Sequence, residues 1–500
     1  MPLLLLTPLL SACTSLLKAD DSTFARPESE LDGATKIPSI PLAAPLAFEP
    51  PVSRAGTGFG IPIVLSGNLA AAGATFDDAE TKSGIVHQAG ATYLLDWTNR
   101  TLSPRKVVVP DPRENEGLLP PTIVPDGVIA PPIPGFNTLR LALNDPVLVI
   151  GVPSKEGGQG GADGGASDSG AVYIYDVDAL DAPPQEIVAP VPTAEALFGE
   201  SLSLSGPWLA IGAPGDANGT ATPSTDESAP KSGAVYLYRR NSSSGTFENT
   251  QYIKAPVIGA QDWFGHAVAI DDDLMAIGAT AEDGSGHGAT GDPHFRSSTN
   301  SGAVYVYRLV DDVWTFEKYL KPKTNVPLMG PLGGFGWSVA VSGTRIAVGA
   351  AYAAACTESG SRIPGRGVVH VIDTTTWEED CMEPASGVAP VWFGWSVAIS
   401  GDRMLAGALF DTSGDPNDPL NSKQPASGAA YLFEHGSGGW AQAKYIKSPA
   451  PRGGFFGFST WLGPDHFAIG SDDPIPKNAS DPPDSDLVPS GAFYVYSLEQ

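Results

Sequence analysis

The chain has 500 residues, of which 42% are hydrophobic and 17% are charged, and its formal net charge is −27 at pH 7. This composition is typical of a folded globular protein rather than a disordered one. The strong negative charge argues against nucleic acid or an anionic membrane surface as a partner. The 58 glycines and 47 prolines indicate many tight turns, as expected where short strands are joined by loops.

The chain begins with a short apolar segment, residues 1–13, that ends in small residues. It is too short to cross a bilayer as a helix and is typical of an export signal. Its last four residues, Leu10-Ser11-Ala12-Cys13, resemble the lipobox of bacterial lipoproteins, which predicts Cys13 as the site of lipidation. No Lys or Arg precedes the apolar segment, which departs from the usual pattern. A plain secretory signal with an incidental cysteine is the alternative.

The lipobox resemblance implies an extracytoplasmic protein of the bacterial cell envelope, attached to the membrane by its lipid anchor alone. Thr14 follows the cysteine where Asp would favour retention at the inner membrane. The expected location is therefore the outer membrane or the cell surface. Residues 14–40 are polar and poorly patterned, and we interpret them as a flexible tether.

Two cysteines remain once Cys13 is assigned to lipid, and both fall within one repeat of the chain. In an oxidising compartment, Cys356 and Cys381 are expected to form a local disulfide.

Three sequence markers recur seven times in the same order, which indicates a repeat architecture. The first is a Phe, usually followed by Gly, at Phe59, Phe136, Phe198, Phe264, Phe335, Phe393 and Phe456. The second is an apolar segment around a Gly, of the type Ile211-Gly212-Ala213-Pro214. The third is an apolar and aromatic segment of the type Gly233-Ala234-Val235-Tyr236.

Each repeat predicts four strands. The first starts at Phe-Gly and alternates apolar with small or polar residues, and a turn such as Ser342-Gly343 leads directly into the second, as in a hairpin. The third is almost continuously apolar, which is expected of a sheet covered on both faces. The fourth contains an aromatic residue and generally ends at Pro. Since helical periodicity is absent, the fold class is all-β.

Seven four-stranded units predict a seven-bladed β-propeller, which removes exposed sheet edges by closing radially. The last repeat lacks a fourth strand, and the stretch at residues 40–51 precedes the first repeat where such a strand belongs. We therefore predict that an N-terminal strand completes the last blade. Residues 41–500 form one domain in this interpretation, and the propeller is expected to be monomeric.

The Phe-Gly, Gly-Ala-Pro and Gly-Ala-Val-Tyr markers resemble the FG-GAP repeats of the integrin-α β-propeller, in their bacterial extracellular form. The resemblance covers roughly residues 40–500 and implies contact with a protein or glycan ligand. Integrin-type calcium loops lie between the first two strands, where this chain has only short turns without a set of oxygen ligands. No metal ligand or cofactor is therefore assigned.

The long loops join the second and third strands and should emerge on one face of the propeller, which is often the binding face. Some carry acidic clusters, such as Asp411, Asp415 and Asp418. We interpret these acids as solvated and keep calcium binding in the acidic loops as the alternative.

A group of aromatic residues lies at or next to the Phe-Gly position of successive repeats. If they surround the mouth of the central channel, their rings can stack on a sugar or anchor a peptide; packing between blades is the alternative. The candidate ligand-binding residues are Trp263, Trp337, Trp392, Trp395 and Phe458.

No catalytic motif is present: the chain lacks a nucleophile elbow, a zinc-protease motif and a phosphate-binding loop. The sequence therefore favours a recognition or adhesion scaffold over an enzyme. A hydrolase or lyase acting on polysaccharide or lipid, and a structural surface component, are the alternatives. Converging acids with perturbed pKa values at the channel mouth would favour the enzyme.

Overall fold

The computed structural model describes most of the repeat region. It covers residues 44–49, 58–81, 84–87, 89–99, 102–110, 112, 140–156, 167–286, 288–296, 300–323, 334–353, 355–356, 365–384, 391–413, 427–449, 454–472 and 491–498. The predicted signal, lipidation site Cys13 and tether lie outside these residues, as do Phe136 and Thr138 of the second repeat.

Seven four-stranded antiparallel sheets form the blades of a β-propeller, which confirms the predicted fold class. Strand β1 is Leu46–Phe48; blade 1 contains β2 (Phe59–Ser66), β3 (Leu69–Ala74), the small hairpin β4 (Ala79–Thr81) and β5 (Gly84–Val86), β6 (Ala91–Asp96) and β7 (Arg105–Val107). Blade 2 contains β8 (Arg140–Asn144), β9 (Val147–Val152), β10 (Ala171–Asp176) and β11 (Gln185–Ile187), and blade 3 contains β12 (Ser201–Ser205), β13 (Trp208–Ala213), β14 (Ala234–Arg240) and β15 (Phe247–Ile253).

The remaining blades follow the same order. Blade 4 contains β16 (Phe264–Asp271), β17 (Leu274–Ala279), the small hairpin β18 (Gly284–Ser285) and β19 (Asp292–Arg296), β20 (Ala303–Val310) and β21 (Val313–Leu320). Blade 5 contains β22 (Phe335–Ser342), β23 (Arg345–Ala350), β24 (Val368–Asp373) and β25 (Glu379–Met382). Blade 6 contains β26 (Phe393–Ser400), β27 (Arg403–Ala408), β28 (Ala429–Gly436) and β29 (Gly439–Ile446), and blade 7 contains β30 (Thr460–Leu462), β31 (His466–Ser471) and β32 (Ala492–Ser497).

Helical structure in the described residues is limited to short 3₁₀ turns such as Val177–Ala179 and Gly288–Thr290. None of their helices is long and apolar enough to cross a membrane.

The first strand of each blade packs against the first strands of both neighbours, and β2 also packs against β30. The first strands therefore form a closed ring around the central axis, and the fourth strands lie at the rim. The core consists of the apolar layers between adjacent sheets: the cluster around Phe264, for example, includes Trp208 of blade 3 and Trp314 of blade 4.

Closure of the ring depends on β1, which adds to β32 as the fourth strand of blade 7. The ring of Phe48 stacks on Phe493 at 4.7 Å. Ser459 Oγ donates a hydrogen bond to the carbonyl oxygen of Gly60, as Ser396 Oγ does to Gly457 between blades 6 and 7. The closing joint therefore repeats the joint between internal blades, and the predicted strand exchange is confirmed.

The Phe-Gly marker has a separate physical reason for each residue. Phe264 is fully buried between two sheets, while Gly265 has φ +86°, as required at the third position of a type II turn. The Gly of the second marker is needed for close packing between blades, since a Cβ at Gly212 would lie 2.1 Å from the carbonyl oxygen of Gly265.

On the face opposite the long loops, hydrogen bonds join the turns of neighbouring blades. The last residue of one first strand accepts a hydrogen bond from the turn of the next blade, as in Asp272 N to Ser205 Oγ at 3.1 Å and Gly401 N to Ser342 Oγ at 3.0 Å. The connections on this face are short and vary little in length, whereas the other face carries the Phe-Gly turns and the long loops.

Candidate functional site

The Phe-Gly turns of blades 1 and 3 to 7 place the residue that follows them at the axis on the loop-rich face, and Arg140 at the start of β8 contacts Glu200 there. In blade 4 the residue before Phe264, Trp263, has φ +58°, and the amide of His266 donates a hydrogen bond to its carbonyl oxygen at 3.1 Å. The turn therefore directs the residue after Phe-Gly into the ring of first strands. We call the resulting group the axial mouth; it consists of Ile61, Arg140, Glu200, Trp263, His266, Trp337, Trp392, Trp395 and Phe458.

One side of the axial mouth is aromatic. Ring centroids lie 4.8 Å apart for His266 and Trp337, 4.9 Å for Trp337 and Trp395 and 5.5 Å for Trp395 and Phe458. These four residues come from blades 4 to 7, so their rings follow one another around the axis. Ile61 of blade 1 packs against the end of this series.

A second tier of aromatic contacts extends outward from the mouth. Tyr352 contacts Trp337 at 5.4 Å and Trp392 at 4.9 Å between ring centroids, and Trp392 contacts Phe410 at 4.4 Å. Burial raises the pKa of Tyr352 well above its ordinary value, so its hydroxyl is protonated at neutral pH. The aromatic surface is thus wider than the predicted residues alone.

The five predicted aromatic residues do lie together, but their exposure differs. Trp263, Trp337 and Trp392 are half-buried and keep surface that a ligand can contact. Trp395 and Phe458 are only 7% and 8% exposed, because the neighbouring rings cover them. Trp395 and Phe458 therefore support the contact surface from below instead of forming it.

The other side of the axial mouth is polar. Arg140 of blade 2 forms an ion pair with Glu200 of blade 3, and its Nε donates a hydrogen bond to the carbonyl oxygen of Glu200 at 2.6 Å. Burial raises the pKa of Glu200, and the Arg140 charge opposes that shift. When both groups are ionised, the pair carries no net charge.

His266 lies between the polar and the aromatic sides. Burial, with a smaller contribution from the positive charge of Arg140, lowers the pKa of His266 to about 4. Its imidazole is therefore neutral at pH 7. The described part of the axial mouth has hydrogen-bonding groups but no unbalanced charge.

Three buried polar atoms of the axial mouth have no hydrogen-bond partner within the described residues: Glu200 Oε2, Trp263 Nε1 and His266 Nδ1. Leaving such an atom unpaired costs about 1–3 kcal/mol. Buried unpaired groups are uncommon and require an explanation. Such atoms also occur elsewhere in the described blades, for example Trp314 Nε1. The three in the mouth lie next to half-buried aromatic rings, where a ligand can complete their hydrogen bonds.

Acids of the long loops have a structural role in several blades. Asp411, which the sequence placed in a solvated cluster, is 1% exposed and pairs with Lys447 Nζ at 3.1 Å. The interpretation of Asp411 as a solvated acid is therefore wrong. Its cluster partners Asp415 and Asp418 lie outside the described residues.

The described residues contain no group of three or more His, Cys, Asp or Glu side chains placed to hold a metal ion. In blade 4, two acids at the turn between the first and second strands have partners within the protein. Asp271 accepts a hydrogen bond from the amide of Gly343 at 2.8 Å, and Asp273 pairs with Arg308 at 3.4 Å.

Cys356 and Cys381 are joined by a disulfide in blade 5, with their Cα atoms 5.7 Å apart. The bond links the loop after β23 to β25. It lies away from the axial mouth, on the outer part of its blade.

Sequence reasoning identified the aromatic residues but missed their polar partners. Arg140 is 60 positions from Glu200, and nothing near either residue indicates the pair. The useful signal was the change of residue type after Phe-Gly, from Glu200 and His266 in blades 3 and 4 to aromatic side chains in blades 5 to 7.

Comparison with known protein families gives a match over two stretches of the chain. The model of the FG-GAP repeat matches residues 247–307 and 381–433, which extend from β15 to β20 and from Cys381 in β25 to β28. These stretches are similar to FG-GAP repeats and lie within a seven-bladed propeller. The crystal structure of RRP9 WD40 repeats is similar at 9% identity and a TM-score of 0.46, over 91% of this chain and 100% of that one. No curated protein matches the sequence.

Proposed function

We propose that this protein is an extracytoplasmic recognition scaffold that binds a glycan at the axial mouth, with the long loops around it. The predicted lipid anchor at Cys13 would hold the propeller at the cell envelope. The observation that carries the proposal is the meeting of half-buried indoles with unpaired buried polar atoms at one place on the loop-rich face.

A neutral sugar suits both sides of the mouth. One face of a pyranose is apolar enough to stack on an aromatic ring, and its hydroxyls both donate and accept hydrogen bonds. Trp337 and Trp392 offer ring surface, and small rotations of Trp263 and His266 would bring their ring nitrogens to the hydroxyls. Since the Arg140–Glu200 pair is balanced and His266 is neutral, the mouth gives no electrostatic preference for a charged ligand.

The test is binding of the full chain, with Cys13→Ser to keep it soluble, to a glycan array and then to isolated neutral oligosaccharides, with and without calcium. Trp337→Ala should weaken binding about 10-fold or more, as expected when a central aromatic anchor is lost. Trp440→Ala is the matched control: it removes a half-buried indole of β29, outside the mouth, and should change affinity less than about 2-fold.

Glu200→Gln and His266→Ala test the polar side, and both should weaken sugar binding if their unpaired atoms contact the ligand. A glycan affinity that none of the mouth variants changes would contradict the proposal. Capture of a protein ligand, with no glycan bound, would instead favour the protein-binding form of the scaffold.

A hydrolase or lyase is the second candidate, and Glu200 is the observation that favours it. A buried carboxyl with a raised pKa is suited to donate a proton. A glycosidase, however, ordinarily needs two carboxyls across the scissile bond, and Glu200 is the single carboxyl that we place among the mouth residues. Release of reducing ends from a polysaccharide, abolished by Glu200→Gln, would support the enzyme.

A further inference from the structure

Blade 5 departs from the repeat at one buried position of its third strand. Six blades have a tyrosine there, and all six are at most 5% exposed: Tyr93, Tyr173, Tyr236, Tyr305, Tyr431 and Tyr494. Blade 5 has His370, which is 3% exposed. The same blade contains the Cys356–Cys381 disulfide, so the exception and the disulfide occur together.

The histidine touches both the disulfide and a buried acid. His370 is paired with Cys381 across β24 and β25, and its Nε2 lies 4.0 Å from Cys381 Sγ. Its Nδ1 lies 2.7 Å from Glu379 Oε1, and the Glu379 side chain is only 6% exposed. Glu379, His370 and Cys381 Sγ thus form a line of acid, imidazole and sulfur.

This line resembles, in its chemistry, the way an acid and a histidine support a reactive thiolate. Glu379 orients the ring and balances the charge when both ring nitrogens carry protons. The Nε2–H bond then points to the sulfur, where it stabilises negative charge. The other sulfur belongs to Cys356. Both cysteines are half-buried, so the contact of His370 with Cys381 Sγ is what distinguishes the two sulfurs.

We propose that Cys356–Cys381 is a thiol–disulfide exchange site that reacts with small thiols and dithiols, with Cys381 as the leaving group. A thiolate attacks Cys356 Sγ, and a new S–S bond forms between the attacking sulfur and Cys356. The bond between Cys356 and Cys381 breaks, and its electron pair leaves on Cys381. The attacking thiol releases its proton to solvent, and an Nε2–H group of His370, 4.0 Å from Cys381 Sγ, stabilises the thiolate that forms there.

A second thiolate completes the reduction. It attacks the non-protein sulfur of the mixed disulfide, so that two thiols become one small disulfide and Cys356 leaves as a thiolate that takes a proton from solvent. Two electrons pass from the small thiols to the protein pair. The rate of the first step depends on how well the leaving sulfur carries negative charge. His370 stabilises that charge on Cys381 and so raises the rate.

The test is the rate at which a dithiol reduces the folded full chain, with Cys13→Ser in every sample so that two thiols are counted. His370→Tyr restores the residue of the other six blades and should slow reduction about 10-fold, because a poorer leaving group departs more slowly. Glu379→Gln should slow it to a lesser extent. His435→Tyr, in blade 6, is the matched control and should change the rate less than about 2-fold.

Two further measurements separate this role from a purely structural one. In denaturant, all variants should be reduced at the same rate, because the histidine no longer faces the sulfur. A variant that is merely destabilised would be reduced faster, which is the opposite direction.

After brief reaction with glutathione and acid quenching, peptide mapping should find the adduct on Cys356. Equal rates in the folded state, or an adduct on Cys381, would overturn the proposal.

Discussion

Lys321 Nζ lies 2.9 Å from Glu282 Oε2, and neither side chain is more than 1% exposed. The ammonium group also donates hydrogen bonds to Ser301 Oγ and to the carbonyl oxygen of Gly302, and Tyr319 donates to the same carboxylate at 2.8 Å. The pair therefore fastens the start of the long loop in blade 4 to the end of the fourth strand. Blades 3 and 6 repeat it with Lys254–Asp216 and Lys447–Asp411.

Removing the cation should be strongly destabilising. Lys321→Met leaves Glu282 buried without its counter-charge, and we expect the free energy of unfolding to fall by about 3–5 kcal/mol. Denaturant unfolding followed by tryptophan fluorescence measures the change. Lys323→Met, at an exposed position two residues later, should stay within about 0.5 kcal/mol.

The double variant Lys321→Met/Glu282→Leu gives the decisive comparison. It removes both charges and should recover most of the lost stability, because the penalty comes from the stranded carboxylate. A single Lys321→Met variant as stable as the wild type would contradict the structural role of the pair.

Close packing between blades predicts that Gly212 does not tolerate substitution by a residue with a side chain. A Cβ at Gly212 would lie 2.1 Å from the carbonyl oxygen of Gly265 and 2.2 Å from Ser201 Oγ, so Gly212→Ala forces two blades apart. We expect a loss of about 3 kcal/mol or more in chemical denaturation. Gly438→Ala, where nothing lies within 4 Å of the added Cβ, should be nearly neutral; equal effects at the two positions would show that the contact is unimportant.

The closing strand predicts a difference between two of its own residues. Phe48 stacks on Phe493, whereas Leu46, two residues earlier, is 37% exposed. Phe48→Ala should lower the unfolding free energy by about 1–3 kcal/mol, and Leu46→Ala by no more than about 0.5 kcal/mol. If Phe48→Ala leaves the thermal midpoint unchanged, β1 does not contribute to closure.

Buried tyrosines predict loss of stability at alkaline pH. Burial raises the pKa of eight described tyrosines, and it raises that of Tyr238 to about 12. Between pH 10 and 12, an unfolded tyrosine has lost its proton while the native Tyr238 retains it. Stability therefore falls through this range, by up to about 1.4 kcal/mol per pH unit for each such residue.

Two buried lysines change the pH dependence of stability in the opposite direction. Burial lowers the pKa of Lys254 and Lys321, so their unfolded forms bind more protons and their contribution to stability rises with pH. Because the tyrosines outnumber them, the net slope should be negative above pH 10. Absorbance at 295 nm and circular dichroism should show tyrosine ionisation together with unfolding, and Tyr238→Phe should reduce the slope. Ionisation of all tyrosines near pH 10 without unfolding would contradict this prediction.

The blade count and the strand exchange could be predicted because the markers report local requirements. Phe264 fills a space between sheets and Gly265 takes a positive φ, and each blade has to meet the same two needs. The repeated sequence markers therefore predict the architecture, including the strand ahead of Phe59 that completes the last blade.

Side-chain partners across blades could not be predicted in the same way. Asp411 cannot be told from other loop acids until its pairing with Lys447 is known. A lysine one or two residues before the proline at the end of the fourth strand, as in Lys447 and Pro449, was a visible signal. The exposure of Trp337 against the burial of Trp395 depends on how neighbouring blades pack. Such contacts join residues that the sequence separates by a whole repeat.

The contribution of β1 to blade 7 has a consequence for biosynthesis. During translation, Leu46–Phe48 leaves the ribosome long before Ala492–Ser497, so its hydrogen-bonding edge has no native partner until the last blade is made. A folding chain in which β1 and β32 have not yet paired is an open arc, with one edge at each end exposed to proteases and to pairing with other chains. Any factor that shields the first blade until synthesis ends should therefore raise the yield of folded protein.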